Sequence, residues 1–543
     1  MKKAINRGRV EGFLHTDGTK LKNGREEQVL LLGWGLGNWL LCEGYMWGFD
    51  RYPQFDRPRR IEETIRTLTG EKYAKRFWTA FRDQYITETD IALMAEMGCN
   101  SLRLPVSSRL FMEEGPEQGF RREGFGLLDR LLEWCEKYRI YVFIDLHAAP
   151  GGQTGANIDD SLDDLCRLFI DDAQFERGLM LWEEIARRYH DRWIVGGYDL
   201  LNEPIRPPRF PGDPDLRIYE PRLRAFYEQA IERIRRHDRK HLVALEGIHW
   251  ATDPGIFDHV YDDNMVIQFH RYGCPPDLSA IRSWVELSER LGVPLWLGET
   301  GENTMTWFSA LMPLAFRHGI SVTLWPWKKL SCDNSPVSYA EPAEWQLLRM
   351  YLEGGAQPSY GKAQQIFDRL LQNIRTENCE INRGIHPNVL RIPGCEIRGT
   401  DFDELPGLNE SYHWETPHPE GCYRRGTGME ILSDGEQPKA FFFDGPWRTA
   451  VLRLHEKEWV KYTVYDVTTS IQLEAECTAE EPSVMEISQD GISLGLFELS
   501  ACHEVQLLSG MHLYTADQSE LCFRILQGSA CIRRLMIQPD TQS

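Results

Sequence analysis

Eight short apolar segments, separated by stretches with helical periodicity, constrain the fold of this chain more than any other feature. The segments are Val29–Gly35, Ser101–Val106, Tyr141–His147, Tyr198–Asn202, Leu242–Glu246, Met265–His270, Pro294–Glu299 and Ser321–Trp327. Near-continuous apolar runs are typical of strands that are covered on both faces. Between most of them lie amphipathic patterns, as in Phe125–Tyr138, Phe175–Tyr189 and Arg222–His237. Eight strand–helix units predict an α/β fold in which a parallel sheet closes into a (β/α)8 TIM barrel.

The pattern of polar and apolar residues changes after residue 375. Residues 376–389 are polar and end in a turn-rich stretch, which favours a linker. From about Leu390 onward, short alternating runs follow one another at regular spacing with turn residues between them, which predicts an antiparallel β-sandwich of the jelly-roll type. We therefore expect a catalytic barrel over 1–375, a linker over 376–389 and an all-β domain over 390–543.

Composition restricts the partners and the compartment. The formal net charge is −21, and an acidic surface repels phosphate backbones, so we expect no nucleic-acid partner. We see neither a signal-peptide pattern nor the roughly 18 consecutive apolar residues that a membrane span needs, so no membrane partner is expected. The 13 cysteines are scattered without metal-site spacing, which favours free thiols and a cytoplasmic location. Nothing in the sequence indicates the oligomeric state.

Polar residues at the ends of the predicted strands form the candidate site, because barrel enzymes place their chemistry at the C-terminal ends of the strands. A single glutamate or histidine in such a position is more often a solvated or structural residue. Here, however, the polar residues occur together and in order at the ends of six strands. They are Arg103, His147, Asn202, Glu203, His270, Tyr272, Glu299 and Trp325.

The two glutamates are the pair that glycosidic bond cleavage requires. One carboxyl group must be protonated to release the leaving-group oxygen, and the other must be ionised to attack the anomeric carbon or to activate water. We expect Arg103 to keep Glu299 ionised with a low pKa, and we expect Glu203 to carry the proton. The amide of Asn202, directly before Glu203, suits the sugar 2-hydroxyl, which supports Glu203 as the acid.

The barrel region resembles glycoside hydrolase family 5 of clan A along residues 9–330. The resemblance is carried in family order by NSLRLPV, YVFIDLHAAPGGQTG, YDLLNEP, VIQFHRYG, PLWLGETG and SVTLWPWKK. It implies that Glu203 is the acid/base and Glu299 the nucleophile of a retaining enzyme. It also implies a substrate-binding role for the other six residues, with Trp325 as the platform on which the sugar stacks and Tyr272 in contact with the nucleophile.

Two segments resemble the exo-acting β-glucanase branch of that family. They are GWGLGNWLLCEGYMW, in the region of the first strand, and DLHAAPGGQTG, after the third. By this resemblance Glu43 would hold hydroxyl groups of the non-reducing sugar, although a solvated loop acid is an equal alternative. The loop ANIDDSLDD departs from the branch, which leaves the sugar specificity open.

The C-terminal region resembles carbohydrate-binding modules of families 6 and 35. The resemblance rests on LRIPGCEIRGTDFDELP, GCYRRGTGMEI, EWVKYTVYDV and LLSGMHLYT. Tyr423 and Trp459 stand near positions where such modules carry structural or sugar-contacting groups. The last strand lacks the asparagine that often closes the sugar cleft, so a structural role is the alternative. Glu396 and Asp401 could hold a structural calcium ion, and no cofactor is expected for catalysis.

The expected activity is that of a retaining β-glycosidase, exo-acting on β-glucosides or short β-glucan oligosaccharides. A β-mannosidase or an endo-β-glucanase on the same scaffold is an alternative. A catalytically silent carbohydrate-binding barrel is the alternative from another functional class.

Overall fold

In the computed structural model, residues 7–49, 51–114, 119–433, 445–467 and 471–539 are described. Eight parallel strands close into a barrel in the order β7-β8-β1-β2-β3-β4-β5-β6, with β6 paired to β7. The strands are β1 Leu32–Gly35, β2 Ser101–Ser107, β3 Tyr141–Ala148, β4 Val195–Asp199, β5 Leu242–Glu246, β6 Met265–Arg271, β7 Leu295–Thr300 and β8 Ser321–Leu324. The predicted fold class is confirmed.

Amphipathic helices cover the barrel because their apolar residues recur every three or four positions. Glu220–His237, for example, buries Leu223, Phe226 and Ile234 and carries charged residues between them. The helices of the barrel region are Pro58–Thr69, Glu71–Gln84, Glu88–Glu96, Ser108–Phe111, Arg122–Tyr138, Arg167–Ile170, Asp172–Tyr189, Glu220–His237, Ile248–Ala251, Arg282–Leu291, Met305–Arg317, Gln346–Leu352 and Tyr360–Asn373. All three predicted helices lie within elements of this set.

Two barrel strands differ from the predicted segments in a way that matters for the site. β4 ends at Asp199, whereas the apolar run continues through the buried Leu200 and Leu201. Asn202 and Glu203 therefore lie on a loop beyond the strand and not at its last position. β8 ends at Leu324, so Trp325 also follows its strand. Apolar character marks burial, whereas the strand itself ends where its ladder of hydrogen bonds ends.

The C-terminal region folds into two antiparallel sheets whose buried residues join one hydrophobic core. One sheet has the order β11-β12-β19-β14-β17, with β9 also paired to β19, and the other has the order β10-β13-β18-β15-β16. The strands are β9 Cys395–Arg398, β10 Tyr412–His413, β11 Glu430–Ser433, β12 Ala450–His455, β13 Trp459–Val467, β14 Ile471–Ala479, β15 Ser483–Gln489, β16 Ile492–Leu499, β17 Cys502–Leu513, β18 Ala516–Gln527 and β19 Ser529–Pro539. The strict alternation of burial along β14 is typical of a strand with one face in a core.

The segment that was predicted as a linker carries structure of its own. Strand Glu380–Ile381 pairs with Val337–Tyr339, and helix Ile385–Leu390 follows it. Within this helix His386 accepts a hydrogen bond of 3.0 Å from the Trp34 indole of β1. The domain boundaries at 375 and 390 stay a prediction, and residues 1–6 and 540–543 lie outside the described part of the chain.

The remaining elements are small. Strands His15–Asp17, Lys20–Lys22 and Gln28–Val29 form a sheet before the barrel, and Lys328–Leu330 pairs with Val337–Tyr339. Short 3-10 helices occur at Gly44–Trp47, Pro53–Phe55, Leu216–Tyr219, Leu278–Ala280, Thr376–Asn378, Gly399–Asp401 and Pro446–Arg448. Among the described residues, no helix combines the length and the apolar character that crossing a bilayer requires.

Candidate active site

Arg103 lies at the centre of a buried polar cluster at the C-terminal end of the barrel. Its guanidinium donates to Asp199 at 2.7 Å, to Asn202 at 2.8 Å and to Glu246 at 2.9 Å. It also donates to Oε1 of Glu299, and its Nη2 lies 3.1 Å from Asp145. A planar guanidinium with five N–H donors can hold several acceptors in fixed positions, which explains why an arginine occupies this point.

The two predicted catalytic carboxyl groups face each other beside His270. Nδ1 of His270 lies 2.8 Å from Oε1 of Glu203 and 3.8 Å from Oε2 of Glu299. A carboxylate oxygen of Glu203 and one of Glu299 lie within 4.8 Å of each other. The Tyr272 hydroxyl donates to Oε2 of Glu299 at 3.1 Å. The barrel therefore brings together residues that are widely separated in sequence.

The backbone at Glu203 adopts a conformation that side chains other than glycine rarely take. Its φ is +44°, in the left-handed region. The peptide N–H of Glu203 donates to Oε2 of Glu246 at 2.6 Å, which fixes this turn from the neighbouring strand. Residues in such conformations persist only when their surroundings hold them, and they cluster at functional sites.

His147 and Asn202 form a hydrogen-bonded chain with Asp145. Burial lowers the pKa of His147 to about 4, so its imidazole is neutral. The Nδ1–H of His147 then donates to Asp145 at 2.7 Å, and its Nε2 accepts from the Asn202 amide at 3.2 Å. The Asn202 amide is thereby held at both ends, since its oxygen accepts from Arg103.

Trp325 forms an aromatic wall beside this cluster. Its ring stacks with that of His147 at a centroid distance of 5.6 Å and an interplanar angle of 3°. The GWGLG segment is required for close packing, because a Cβ added at Gly37 would lie 2.6 Å from Cζ2 of Trp325. The Trp325 indole N–H donates to the Tyr45 hydroxyl at 2.8 Å.

The prediction of a low pKa for Glu299 is wrong. Burial raises the pKa of Glu299, and His270 and Arg103 oppose this rise. The physical reason is the burial of the Glu299 carboxyl group, to which the charge of Glu203 adds. Arg103 opposes this rise, but it also contacts Asp145, Asp199 and Glu246, so the cluster joins five strands of the barrel.

The excess of acids also shifts the neighbouring groups. The charges of Glu246 and Glu299, together with hydrogen bonds that His270 donates to Glu203 and Glu246, raise the pKa of His270 well above its ordinary value despite its burial, so its imidazolium form is favoured. Burial raises the pKa values of Asp145 and Asp199 well above the ordinary range, against the effect of Arg103. The neighbouring charges thus favour the imidazolium form of His270, and burial shifts Asp145 and Asp199 toward their neutral forms.

Glu43 lies in the same site, next to the catalytic pair. Its side chain is buried, and burial followed by the charges of Glu299 and Glu203 raises the pKa of its carboxyl group well above the usual range. A solvated loop acid would show none of these features. Glu43 is therefore a buried acid that is influenced by the charges of Glu299 and Glu203, and its predicted role in holding sugar hydroxyl groups stays a prediction.

Several residues of the site were not singled out from the sequence. Asp145 lies two positions before His147 on β3, Asp199 ends β4 and Glu246 ends β5. An acid at the end of an apolar strand was the available signal for Glu246. Tyr45 was also missed, and its hydroxyl lies 3.5 Å from Glu302, which in turn pairs with Lys329.

Two groups of side chains have ligand types that a metal ion could use. In the part of the chain that the structure describes, these are Glu203 with His270 and Glu299, and His418 with His455 and Glu458. The predicted calcium ligands are instead engaged by arginines. Glu396 lies 3.2 Å from Arg534, and Asp401 accepts two bonds from Arg398 at 2.7 and 2.9 Å. A calcium ion at Glu396 and Asp401 stays a prediction.

The two aromatic residues singled out in the C-terminal region have different surroundings. Tyr423 is buried, and its hydroxyl donates to Pro276 O at 3.1 Å and lies 2.9 Å from Asp401. Trp459 is half-buried and stacks on His413 at 6.0 Å. Tyr423 therefore contacts the barrel and is not exposed to a ligand.

Comparisons with known proteins agree with this geometry. Residues 65–331 match the family model described as Cellulase (glycosyl hydrolase family 5). A β-xylosidase of Phanerodontia chrysosporium is 31% identical over 265 residues, which cover 48% of this chain and 52% of that protein. Endoglucanase C of Acetivibrio thermocellus is 32% identical over 125 residues, 23% of this chain and 35% of that enzyme. The chain thus spans about half or less of the length of these curated relatives.

Among solved structures, the crystal structure of endogalactoceramidase aligns with 96% of this chain and 99% of its own, at 15% identity and a TM-score of 0.48. The family match covers seven of the eight barrel strands, β2 to β8, and all the polar residues around Arg103. Residues 65–331 are therefore similar to glycosyl hydrolase family 5 over most of the barrel.

Proposed function

We propose that this protein is a retaining β-glycosidase, with Glu203 as the acid/base and Glu299 as the nucleophile. The observation that carries the proposal is the separation of the two carboxyl groups, whose nearest ligand oxygens lie within 4.8 Å. Retaining enzymes hold their carboxyl groups about 5 Å apart, whereas inverting enzymes need about 6.5–9.5 Å to admit a water molecule.

The first step forms a covalent intermediate. Glu203 donates its proton to the glycosidic oxygen, Oε2 or Oε1 of Glu299 attacks the anomeric carbon, and the bond to the leaving group breaks. Arg103 and Tyr272 hold the Glu299 carboxylate in line for this attack. The Asn202 amide, fixed between Arg103 and His147, is placed to bind the sugar 2-hydroxyl.

The second step hydrolyses the intermediate. Glu203, now ionised, takes a proton from water, the water oxygen attacks the anomeric carbon, and the ester bond to Glu299 breaks. His270 lies at hydrogen-bond distance from Oε1 of Glu203, 2.8 Å, which holds this carboxyl group in position for the step. Two displacements at one carbon restore the β configuration.

The proposal includes exo action on β-glucosides or short β-glucan oligosaccharides. The buried Glu43 supports it, since a carboxyl group of raised pKa that is influenced by the charges of Glu299 and Glu203 can bind sugar hydroxyl groups. β-Xylosidase activity is a second candidate, because a β-xylosidase is 31% identical over 265 residues, 48% of this chain. β-Mannosidase and endo-β-glucanase activities remain the alternatives for the same residues.

Substitution of each carboxylate separates the two roles. Glu299→Gln should lower kcat/KM on every β-glycoside by about 10³-fold or more, because covalent catalysis is lost. Glu203→Gln should slow alkyl β-glycosides far more than nitrophenyl β-glycosides, whose leaving groups need little protonation. Glu353→Gln, at an exposed residue that contacts Tyr52, is the matched control. Equal turnover by wild type and Glu299→Gln would refute the catalytic assignment and favour a silent sugar-binding barrel.

Stereochemistry and sugar identity need two further measurements. Proton NMR of the first-formed product from a β-glycoside should show the β anomer, and an α product would refute retention. A panel of aryl β-glucoside, β-xyloside, β-mannoside and β-galactoside identifies the glycone. Cleavage of polymers only, in mid-chain, would replace the exo assignment by an endo one.

We propose a structural role for the C-terminal sheets. Tyr423 and Arg424 of this region bind Pro276 and Asp277 in the loop after β6, the strand that carries His270. This contact supports a role in holding that loop in place. If the Glu299→Gln protein binds a sugar and the double variant Glu299→Gln/Trp459→Ala does not, carbohydrate binding by the C-terminal region would be favoured instead.

A further inference from the structure

Two histidines and a glutamate converge in the C-terminal sheets, outside the candidate active site. His418 belongs to the segment between β10 and β11, His455 is the last residue of β12, and Glu458 lies in the turn between β12 and β13. One ligand atom from each side chain lies within 4.8 Å of the other two. Two separate segments of the chain therefore bring metal-ligand atoms to one point.

The contacts within this group hold the three side chains in place. The rings of His418 and His455 stack at a centroid distance of 4.8 Å and an interplanar angle of 19°. Oε1 of Glu458 lies 2.8 Å from Nε2 of His418, and its Oε2 accepts the backbone N–H of His455 at 2.9 Å. Two ligands of a tetrahedral zinc ion lie about 3.4 Å apart, so the contact between Glu458 and His418 needs to open by only about 0.6 Å.

Glu458 is a buried carboxyl group without a permanent counter-charge. Its side chain is 3% exposed, and its ion pair among the described residues is with His418 alone. Buried carboxylates are normally paired with a cation or bound to a metal ion. A histidine is a weak counter-charge near neutral pH, because its imidazole loses its proton there. A divalent cation between Glu458 and the two histidines would supply the positive charge that this position lacks.

The active site contains the same ligand types but is less suited to a cation. Glu203, His270 and Glu299 also converge within 4.8 Å. There, however, Arg103 donates to Glu299, and its positive charge repels a metal ion. In the described part of the chain, the ion pairs of His418, His455 and Glu458 are formed with one another or with Glu430, and none is with an arginine or a lysine.

Glu430 of β11 orients one of the two histidines. Its Oε2 lies 2.7 Å from Nε2 of His455, and it also lies 3.9 Å from Arg453. A histidine that binds a metal ion through one ring nitrogen usually donates the N–H of the other to a carboxylate, which fixes the ring. Glu430 has the position that this outer carboxylate takes.

The ligand types indicate which ion the group would take. Calcium and magnesium ions prefer sites made of oxygen ligands, whereas imidazole nitrogens suit zinc and its neighbours among the transition metals. Zinc takes four ligands in a tetrahedron, so three side chains leave one position for water. The His455 side chain is 40% exposed, which leaves a route for the ion and for that water molecule.

We propose that His418, His455 and Glu458 form a zinc site with water as the fourth ligand. The ion joins the segment between β10 and β11 to the turn between β12 and β13. The same segment carries Tyr423, which contacts Pro276 in the barrel loop after β6. Zinc therefore stabilises the attachment of the C-terminal sheets to the barrel and takes no part in the glycosidase chemistry.

The first test is a calorimetric titration of the metal-free, full-length protein with zinc chloride. We expect one zinc ion per chain, retained through gel filtration. His418→Gln and His455→Gln should each weaken binding by about 100-fold or more, and Glu430→Gln by about tenfold. His259→Gln is the matched control, because His259 is exposed and lies 2.6 Å from Asp258, and it should bind zinc as the wild type does.

A second test needs no substitution and therefore does not depend on the folding of a variant. Cobalt(II) bound to the wild type in place of zinc should give the intense visible absorption of tetrahedral coordination, and X-ray absorption at the zinc edge should show two imidazole ligands. Zinc at 100 times its Kd should raise the thermal unfolding midpoint by about 5 °C. One equivalent of zinc should leave kcat/KM within about twofold of the metal-free value.

Three results would overturn the proposal. The first is a wild type that keeps no zinc through gel filtration. The second is zinc binding that persists in His418→Gln and His455→Gln but is lost in Glu299→Gln, which would place the ion in the active site. The third is binding that persists in both histidine variants but is lost after alkylation of the thiols, which would assign it to cysteines.

Discussion

The barrel centre and the junction between the barrel and the C-terminal sheets both bury arginines, but they balance charge differently. At the barrel centre Arg103 and His270 face the carboxyl groups of Glu203, Glu246, Glu299 and two aspartates. At the junction, several arginines face a smaller set of acids, namely Arg317, Arg391, Arg398 and Arg424 against Asp401, Asp403 and Glu404. Cations are outnumbered in the first region and not in the second.

The pKa values reflect this difference. Arg317, Arg391 and the Thr463 hydroxyl lower the pKa of buried Asp403 below its ordinary value, against burial. Burial raises the pKa values of Asp145 and Asp199 although Arg103 contacts both. An excess of buried carboxyl groups raises carboxyl pKa values, and acid/base chemistry uses carboxyl groups that keep a proton. Matched charges instead serve to join two parts of a chain.

Replacement of the buried arginine in each region should show the largest difference between the barrel centre and the junction. Arg103→Met leaves several carboxyl groups without their cation, so we expect a loss of about 10³-fold in kcat/KM and of about 3–5 kcal/mol in the free energy of unfolding. Arg398→Met should destabilise by a similar amount but leave kcat/KM of the folded protein within about threefold. Urea unfolding and steady-state kinetics measure both, and an active Arg103→Met enzyme would contradict this comparison.

Glu246 tests whether the excess acids position the catalytic ones. Glu246→Gln retains a side-chain oxygen that can accept from the Glu203 N–H. It loses the negative charge that stabilises the His270 imidazolium. We expect kcat/KM to fall by about 10²-fold and the pKa of His270, followed by NMR, to fall toward its ordinary value. Asp403→Asn at the junction is the matched substitution and should change neither quantity.

Glu43 should show a smaller effect that depends on the replacement. Because its raised pKa favours the neutral carboxyl group, Glu43→Gln should keep kcat/KM within about threefold, whereas Glu43→Ala should lose about tenfold through the missing hydrogen bond. The two variants are compared on the same aryl β-glycoside. A loss in Glu43→Gln as large as that in Glu43→Ala would show that the side chain acts as an ionised group.

The smallest effects concern the pH dependence of stability. Asp199 has a raised pKa, so its contribution is present below the ordinary aspartate pKa and is lost as pH rises through the folded value. Asp403 has a lowered pKa, so its contribution is present above the ordinary value and is lost as pH falls through the folded value. Asp199→Asn should therefore flatten the alkaline side of the stability curve and Asp403→Asn the acid side. Urea unfolding over a pH series checks this, and interchanged effects would refute it.

Much of the fold and of the site could be predicted because both follow from local patterns. Apolar runs located the barrel strands, and the polar residues within or just after them included Arg103, Glu203 and Glu299. The predicted strand ends were wrong where buried apolar residues continue beyond the last hydrogen-bonded residue of a strand, as at Leu200 and Leu201 beyond β4. The roles of Asp199 and Glu246 could not be read in this way, because their partners come from other strands.

The sequence by itself determined the order of strands and helices, and with it which side chains emerge at the catalytic end of the barrel, because these depend on periodicity along the chain. Only the tertiary structure decided that one guanidinium contacts four carboxyl groups and that Glu299 is buried, which raises the pKa of Glu299. Electrostatic interactions depend on distances through space and on burial, which closure of the barrel sets.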